Sequence, residues 1–193
     1  VASFNTAVGY GTLTTNTTGI SNVAVGRNSL LLNTVGYSNV AVGVSSLGAN
    51  VGGIRNTALG GSALLANTSG QTNVAVGYTS LAANTEGNNN VASGYQSLLA
   101  NTTASNSVAV GYSALTALTT GAQMTAVGYG AAAAVTTANY LTAIGYSSLA
   151  ANTTGSQNTG LGIQTLLNNT SGDYNTAVGI NSLHSNTTAS NNT

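Results

Sequence analysis

Few side chains in this 193-residue chain carry charge or move protons: two basic residues (Arg27, Arg55), two acidic ones (Glu86, Asp173) and His184. Acid–base and nucleophilic catalysis need at least two such groups within hydrogen-bond reach of each other. A metal site needs several His, Cys, Asp or Glu ligands converging on one point. Glu86 and His184 stand far apart in the sequence, and there is no Cys to supply a thiolate or a disulfide. The expectation is a non-enzyme with no catalytic residue, no cofactor and no metal. A formal net charge of zero removes the basic footprint that nucleic acid requires, and with it a polybasic membrane contact. No apolar run approaches the roughly 20 residues of a membrane-spanning helix, and no signal-peptide pattern opens the chain.

What the chain has in quantity is hydroxyl, amide and phenol groups at fixed spacing. From Gly77, steps of 17 residues in both directions land on Gly9, Gly26, Gly43, Gly60, Gly94, Gly111, Gly128, Gly145, Gly162 and Gly179, with no insertion or deletion. A fixed short period is the signature of a repeat architecture. The chain is therefore read as one array over residues 1–193, anchored on Gly9 to Gly179. Both ends fall inside a repeat and show no altered cap, although terminal repeats of solenoids are normally modified. The expectation is a window of a longer fibre, or a unit that stacks end to end.

Around each anchor glycine the columns are regular. Three residues before it stands Thr or Val. Two before it stands Ala, except at Gly160. One before it stands Val, Ile or Leu, except at Ser93. Alternation with β-branched residues predicts a short strand, with the outer two columns on one face and Ala on the other. The glycine then closes the strand through positive φ or close backbone approach. Leu stands four residues after the glycine, with Ala132 as the exception. Asn stands seven after it in nine repeats, Thr follows in ten, and a second glycine column stands two further on in eight. Asn-Thr-x-Gly is turn chemistry, with the glycine expected in the left-handed region. The segment Ser-Leu-x-x-Asn fits either a strand or a single 3₁₀-like turn.

A 17-residue coil is too short for a strand plus a helix of average length, about 11 residues. The fold class expected is all-β: a parallel β-solenoid or β-roll of eleven coils, a rod on the order of 50 Å long at standard strand spacing. Stacked Asn side chains are expected to satisfy one another along the axis.

Five sets of residues are candidates for surface chemistry. Tyr78, Tyr95, Tyr112, Tyr129 and Tyr146 occupy the column after the anchor glycine in five consecutive coils. They fit either a ligand-binding ladder or a structural aromatic stack. The column is broken elsewhere by Arg27, Val44, Gly61, Ile163 and Ile180. The small Ala column, represented by Ala75, Ala92, Ala109, Ala126 and Ala143, is expected to face other chains, because small side chains admit a second backbone. Sequons at Asn16, Asn67, Asn101, Asn152 and Asn186, and also at Asn168, Asn169 and Asn191, mark possible glycosylation or simply the composition of the turns. The Thr column that includes Thr85 and Thr102 fits either an ice-binding row or simple turn chemistry, since these Thr follow the turn Asn. Finally, Leu118, Met124, Val135 and Leu141 break the pattern in neighbouring coils. They fit either an apolar contact patch or decay of the repeat.

The strand motif Val-Ala-Val-Gly of Val74–Gly77 and Val108–Gly111, and above all Thr142-Ala143-Ile144-Gly145, resembles the Ser-Val-Ala-Ile-Gly repeat of trimeric autotransporter adhesin heads. The longer unit is similar to arrays in phage tail-fibre and bacterial surface-fibre proteins. That resemblance implies a left-handed parallel β-roll, three chains about one axis, and adhesion outside the cell. It also implies that the apolar columns flanking Ala fill each roll while Ala lies near the neighbouring chain. This period is longer than the typical adhesin repeat by one Asn-Thr-Thr-Gly-type turn. The function expected is a structural and adhesive segment of an extracellular or virion-surface fibre. Its partners would be itself, as a homotrimer or an end-to-end polymer, and a host-cell surface or glycan. The alternatives are a self-assembling extracellular filament subunit and an ice-binding solenoid using Thr ladders.

Overall fold

Each repeat supplies one three-residue strand, and the strands stack in chain order. In the computed structural model, which describes residues 2–193, they run as β1 (Thr6–Val8), β2 (Val23–Val25), β3 (Val40–Val42), β4 (Thr57–Leu59), β5 (Val74–Val76), β6 (Val91–Ser93), β7 (Val108–Val110), β8 (Thr125–Val127), β9 (Thr142–Ile144), β10 (Thr159–Leu161) and β11 (Thr176–Val178). All eleven form one sheet in the order of the sequence. The pairing is parallel and in register, so Ala75 meets Ala92 and Ala92 meets Ala109. The protein is a parallel β-solenoid with one rung per repeat.

The ladder is built as parallel strands require. Val74 N–H donates forward to Asn90 O at 2.8 Å, and Gly77 N–H donates back to Leu59 O at 2.8 Å. The anchor glycine is needed for two reasons. Its φ lies between +107° and +137° in every coil. In addition, a Cβ on Gly111 would stand 2.4 Å from the carbonyl oxygen of Gly128 in the next coil.

The return segment is neither a strand nor a 3₁₀-helix. It is a pair of tight turns with left-handed residues two and four after the glycine. In one coil these are Thr79 (φ 52°) and Leu81 (φ 53°). The turns close through Ser80 N–H to Gly77 O at 3.4 Å and Asn84 N–H to Leu81 O at 3.2 Å. The same segment also bonds between coils, Leu81 N–H to Ser97 O at 2.9 Å and Thr79 N–H to Gly61 O at 3.0 Å. A left-handed leucine costs about 1–2 kcal/mol. The conformation is kept because it turns the side chain into the coil. Leu81 is fully buried, which is worth about 1.5–3 kcal/mol and offsets the strain.

The second glycine column serves a different purpose from the one expected. Gly36, Gly53 and Gly70 do not adopt positive φ. They are small because a Cβ on Gly70 would sit 2.5 Å from Gly87 O and 2.4 Å from Asn67 Oδ1. The left-handed turn residue is instead the one five before the anchor, such as Thr72 (φ 57°) or Asn89 (φ 57°).

The core is a thin slab between the strands and the return segment. It contains the Ala column, the Leu column, small Ser, Thr or Ala residues beside the Leu, and two Asn columns. This reverses the face assignment made from the sequence. Ala75, Ala92, Ala109, Ala126 and Ala143 are all fully buried inside their own chain, so they are not an inter-chain face. The β-branched columns on either side of them point outward and do not fill the roll. The space between sheet and return segment is one methyl deep on the strand side, because the Leu already occupies the other side.

Candidate functional site

The interior polar residues satisfy one another. In the column seven after the glycine, each Asn donates Nδ2–H to the glycine-column carbonyl of its own turn and, where the coil before it also carries Asn, to that residue's Oδ1; Asn16 and Asn152 have no such neighbour. Asn84, for example, reaches Asn67 Oδ1 at 2.8 Å and Gly87 O at 3.1 Å. The other Asn column, four before the glycine, accepts a backbone N–H and crosses to the same carbonyls. Asn73 Oδ1 takes Asn90 N–H at 3.0 Å, and Asn73 Nδ2–H donates to Gly87 O at 2.8 Å. This bears out the expected Asn ladders.

The sequons are a by-product of these ladders. Asn67, Asn101 and Asn152 are fully buried, and their amides donate to Gly70 O, Ala104 O and Gly155 O. A glycosyl group has no place there in the folded protein. Asn16 and Asn186 are half-buried, with amides bonded to Gly19 O and to Asn169 Oδ1. Asn168 and Asn191 are exposed.

The break in the pattern is also internal. Leu118, Met124, Val135 and Leu141 are buried. They replace members of both Asn columns in neighbouring coils, so polar partners are exchanged for apolar ones together. They form no surface contact patch. The exchange leaves one mark: Asn101 Oδ1, which faces the position now held by Leu118, is the buried side-chain polar atom without a partner among the described residues.

The Thr column eight after the glycine is partly committed to the backbone. Thr85 Oγ1–H donates to Thr102 O at 3.1 Å, and Thr102 Oγ1–H donates to Thr119 O at 3.2 Å. The backbone N–H groups of Thr85 and Glu86 converge on the same Thr102 oxygen, at 2.9 and 3.3 Å. The neighbouring Thr103, Thr120, Thr137 and Thr154 are exposed.

The dispersed ionisable residues stay apart. Glu86 is exposed. Asp173 accepts the backbone N–H of Ser156 at 2.7 Å, a capping role that Asn and Ser fill in other coils. Arg55 lies over the Tyr37 ring at 5.9 Å. Among the described residues no three His, Cys, Asp or Glu side chains lie together.

Two outward features remain. The first is the strand face, where Val42, Leu59, Val76, Val110, Ile144 and Leu161 are each 37–39% exposed in one straight column beside the Thr/Val column. Sequence reading placed these side chains inside, so it missed this surface. The second is the tyrosine column. Tyr78, Tyr95, Tyr112, Tyr129 and Tyr146 stack ring on ring, with centroid separations of 5.9, 5.1, 5.0 and 5.4 Å and planes within 7–15°. All five are substantially exposed. Comparison of the chain with family models, with curated proteins and with solved structures found no match.

Proposed function

We propose that this chain is a non-catalytic structural and adhesive segment of an extracellular or virion-surface fibre, and that its strand face packs against further copies of the same chain. The observation that carries this reading is the outward β-branched face. In coil after coil, Ser93 excepted, it sets Thr or Val beside Val, Ile or Leu, in one in-register parallel sheet without charge. A solvated face of an antiparallel or solenoid sheet ordinarily alternates to polar residues. Continuous exposed apolar surface on a soluble protein marks an association site. The face is as long as the rod, so two copies aligned along their axes cover it evenly at every coil.

The resemblance to adhesin heads extends the proposal to three left-handed rolls about a common axis. In this protein the strand face, and not the Ala column, would then line that axis. Static light scattering on the native chain, beside its denatured mass, tests the reading. Three chains per particle is the expected result. A monomer at high concentration overturns it. Polymers of unbounded length would make the protein a filament subunit whose coils continue from one chain to the next.

A further inference from the structure

The tyrosine ladder is left out of this packing scheme. It follows the anchor glycine, at the rim of the strand face. Stacking closes the flat faces of the inner rings to any ligand, since Tyr95, Tyr112 and Tyr129 each have a ring on both sides. What remains open is the row of ring edges and phenol hydroxyls. A phenol hydroxyl both donates and accepts, and among the described residues none of the five bonds to the protein. The row is therefore a line of hydrogen-bonding groups spaced at one per coil. On one side of it runs the column Val76, Ser93, Val110, Val127 and Ile144, apolar except at Ser93. On the other runs a half-buried polar column that includes Thr79, Gln96, Ser113 and Ser147.

A ligand that uses such a line must be long, must bring one hydrogen-bonding unit to each coil, and must be neutral. An extended polypeptide advances about 3.3 Å per residue and falls out of step within two coils. Nucleic acid needs cations to neutralise its phosphates, and Arg27 and Arg55 both lie in coils before the ladder begins. An extended β-1,4-linked polysaccharide meets all three conditions. One sugar spans nearly the same distance as one coil, the chain is straight, and each ring, although turned over relative to the one before it, carries hydroxyls on both edges. We propose that the Tyr78–Tyr146 ladder binds a neutral, extended β-1,4-linked glycan laid parallel to the rod axis, one sugar to each coil. This names the ligand of the adhesive reading above and rests on it.

The test is calorimetric titration of the native chain with cellohexaose and chitohexaose, with maltohexaose as the control, because its α-linkages coil the chain out of register. At least one β-linked hexasaccharide is expected to saturate at one per chain. Maltohexaose should bind at least roughly tenfold more weakly. Tyr95→Ser with Tyr129→Ser should lower affinity by about tenfold or more, with the circular dichroism spectrum retained and the melting temperature lowered by the loss of ring stacking. Ile163→Tyr, which lengthens the ladder by one ring, should tighten binding of the hexasaccharide. No binding of either β-linked probe, equal binding of maltohexaose, or affinity insensitive to both variants overturns the proposal. Light scattering on the same samples separates the two ideas. Lost binding by an intact multi-chain particle removes the glycan but leaves the fibre. Retained binding by a monomer does the reverse.

Discussion

At the scale of single residues the core is regulated one methyl at a time. Gly160 is the one departure from the Ala column. A Cβ there would stand 2.6 Å from Ser148 Oγ and 2.7 Å from Thr165 Oγ1. Thr165 is fully buried where most coils carry Ser or Ala, and its hydroxyl bonds Ser148 Oγ at 2.7 Å. The larger residue in one column and the smaller one in the other fill the same space. Gly160→Ala alone should destabilise the protein by about 1–3 kcal/mol through overpacking. Adding Thr165→Ser, which restores the arrangement seen in other coils, should recover most of that loss. A double-mutant cycle by chemical denaturation reads the coupling, and additive effects would refute the compensation.

At the scale of the element the instructive unit is the Asn ladder. Each Nδ2–H points to the preceding coil, so any such ladder ends on an Oδ1 with no donor. Here the buried end is Asn101, against Leu118, and the second run ends at half-buried Asn186 in the last coil. Asn84→Leu would strand a second acceptor, Asn67 Oδ1, which loses its only side-chain donor. It should cost about 1–3 kcal/mol. Asn101→Leu merely moves the end by one coil, to Asn84 Oδ1, and should cost markedly less although Asn101 is equally buried. Comparing the two denaturation midpoints checks this, and equal losses would show that the ladder does not act as a directed chain of bonds. The glycine elements are less forgiving. Gly111→Ala meets both a φ of +132° and the Gly128 carbonyl at 2.4 Å, so it should split the ladder at that coil and lower the melting temperature.

At the scale of the whole molecule the two faces of the strand make opposite demands. Val76→Lys, Val110→Lys and Ile144→Lys together place three charges on the outward column. The solenoid should keep its circular dichroism spectrum while the assembled particle falls to a single chain in light scattering. Ala75→Lys, Ala92→Lys and Ala109→Lys place the same charges in a slab with no room and no counter-ion, where an unpaired buried charge is strongly destabilising. That variant should not fold. If it folded and merely dissociated, the Ala column would be the inter-chain face after all. Because each coil contacts only its neighbours, the consequences of any one substitution should stay local along the rod.

The 17-residue spacing of Gly9 to Gly179 was enough to establish a parallel all-β array with one strand per repeat, because only a stacked coil returns the same residue type to the same place eleven times. The Asn ladders, the glycine-ended strands and the alignment of five tyrosines were legible for the same reason. Which side of the strand is inside was not. Alternation shows that Val74 and Val76 share a face opposite Ala75, but it carries no sign, and the usual preference for burying the larger residue points the wrong way. The tertiary structure decides it through the left-handed return segment, which turns Leu81 inward and leaves depth for only a methyl beneath the sheet. For the sequons and for Leu118, Met124, Val135 and Leu141 the sequence left a surface reading and a structural one both open. Their partners lie in adjacent coils, and only the stacked structure shows that the space between them is closed.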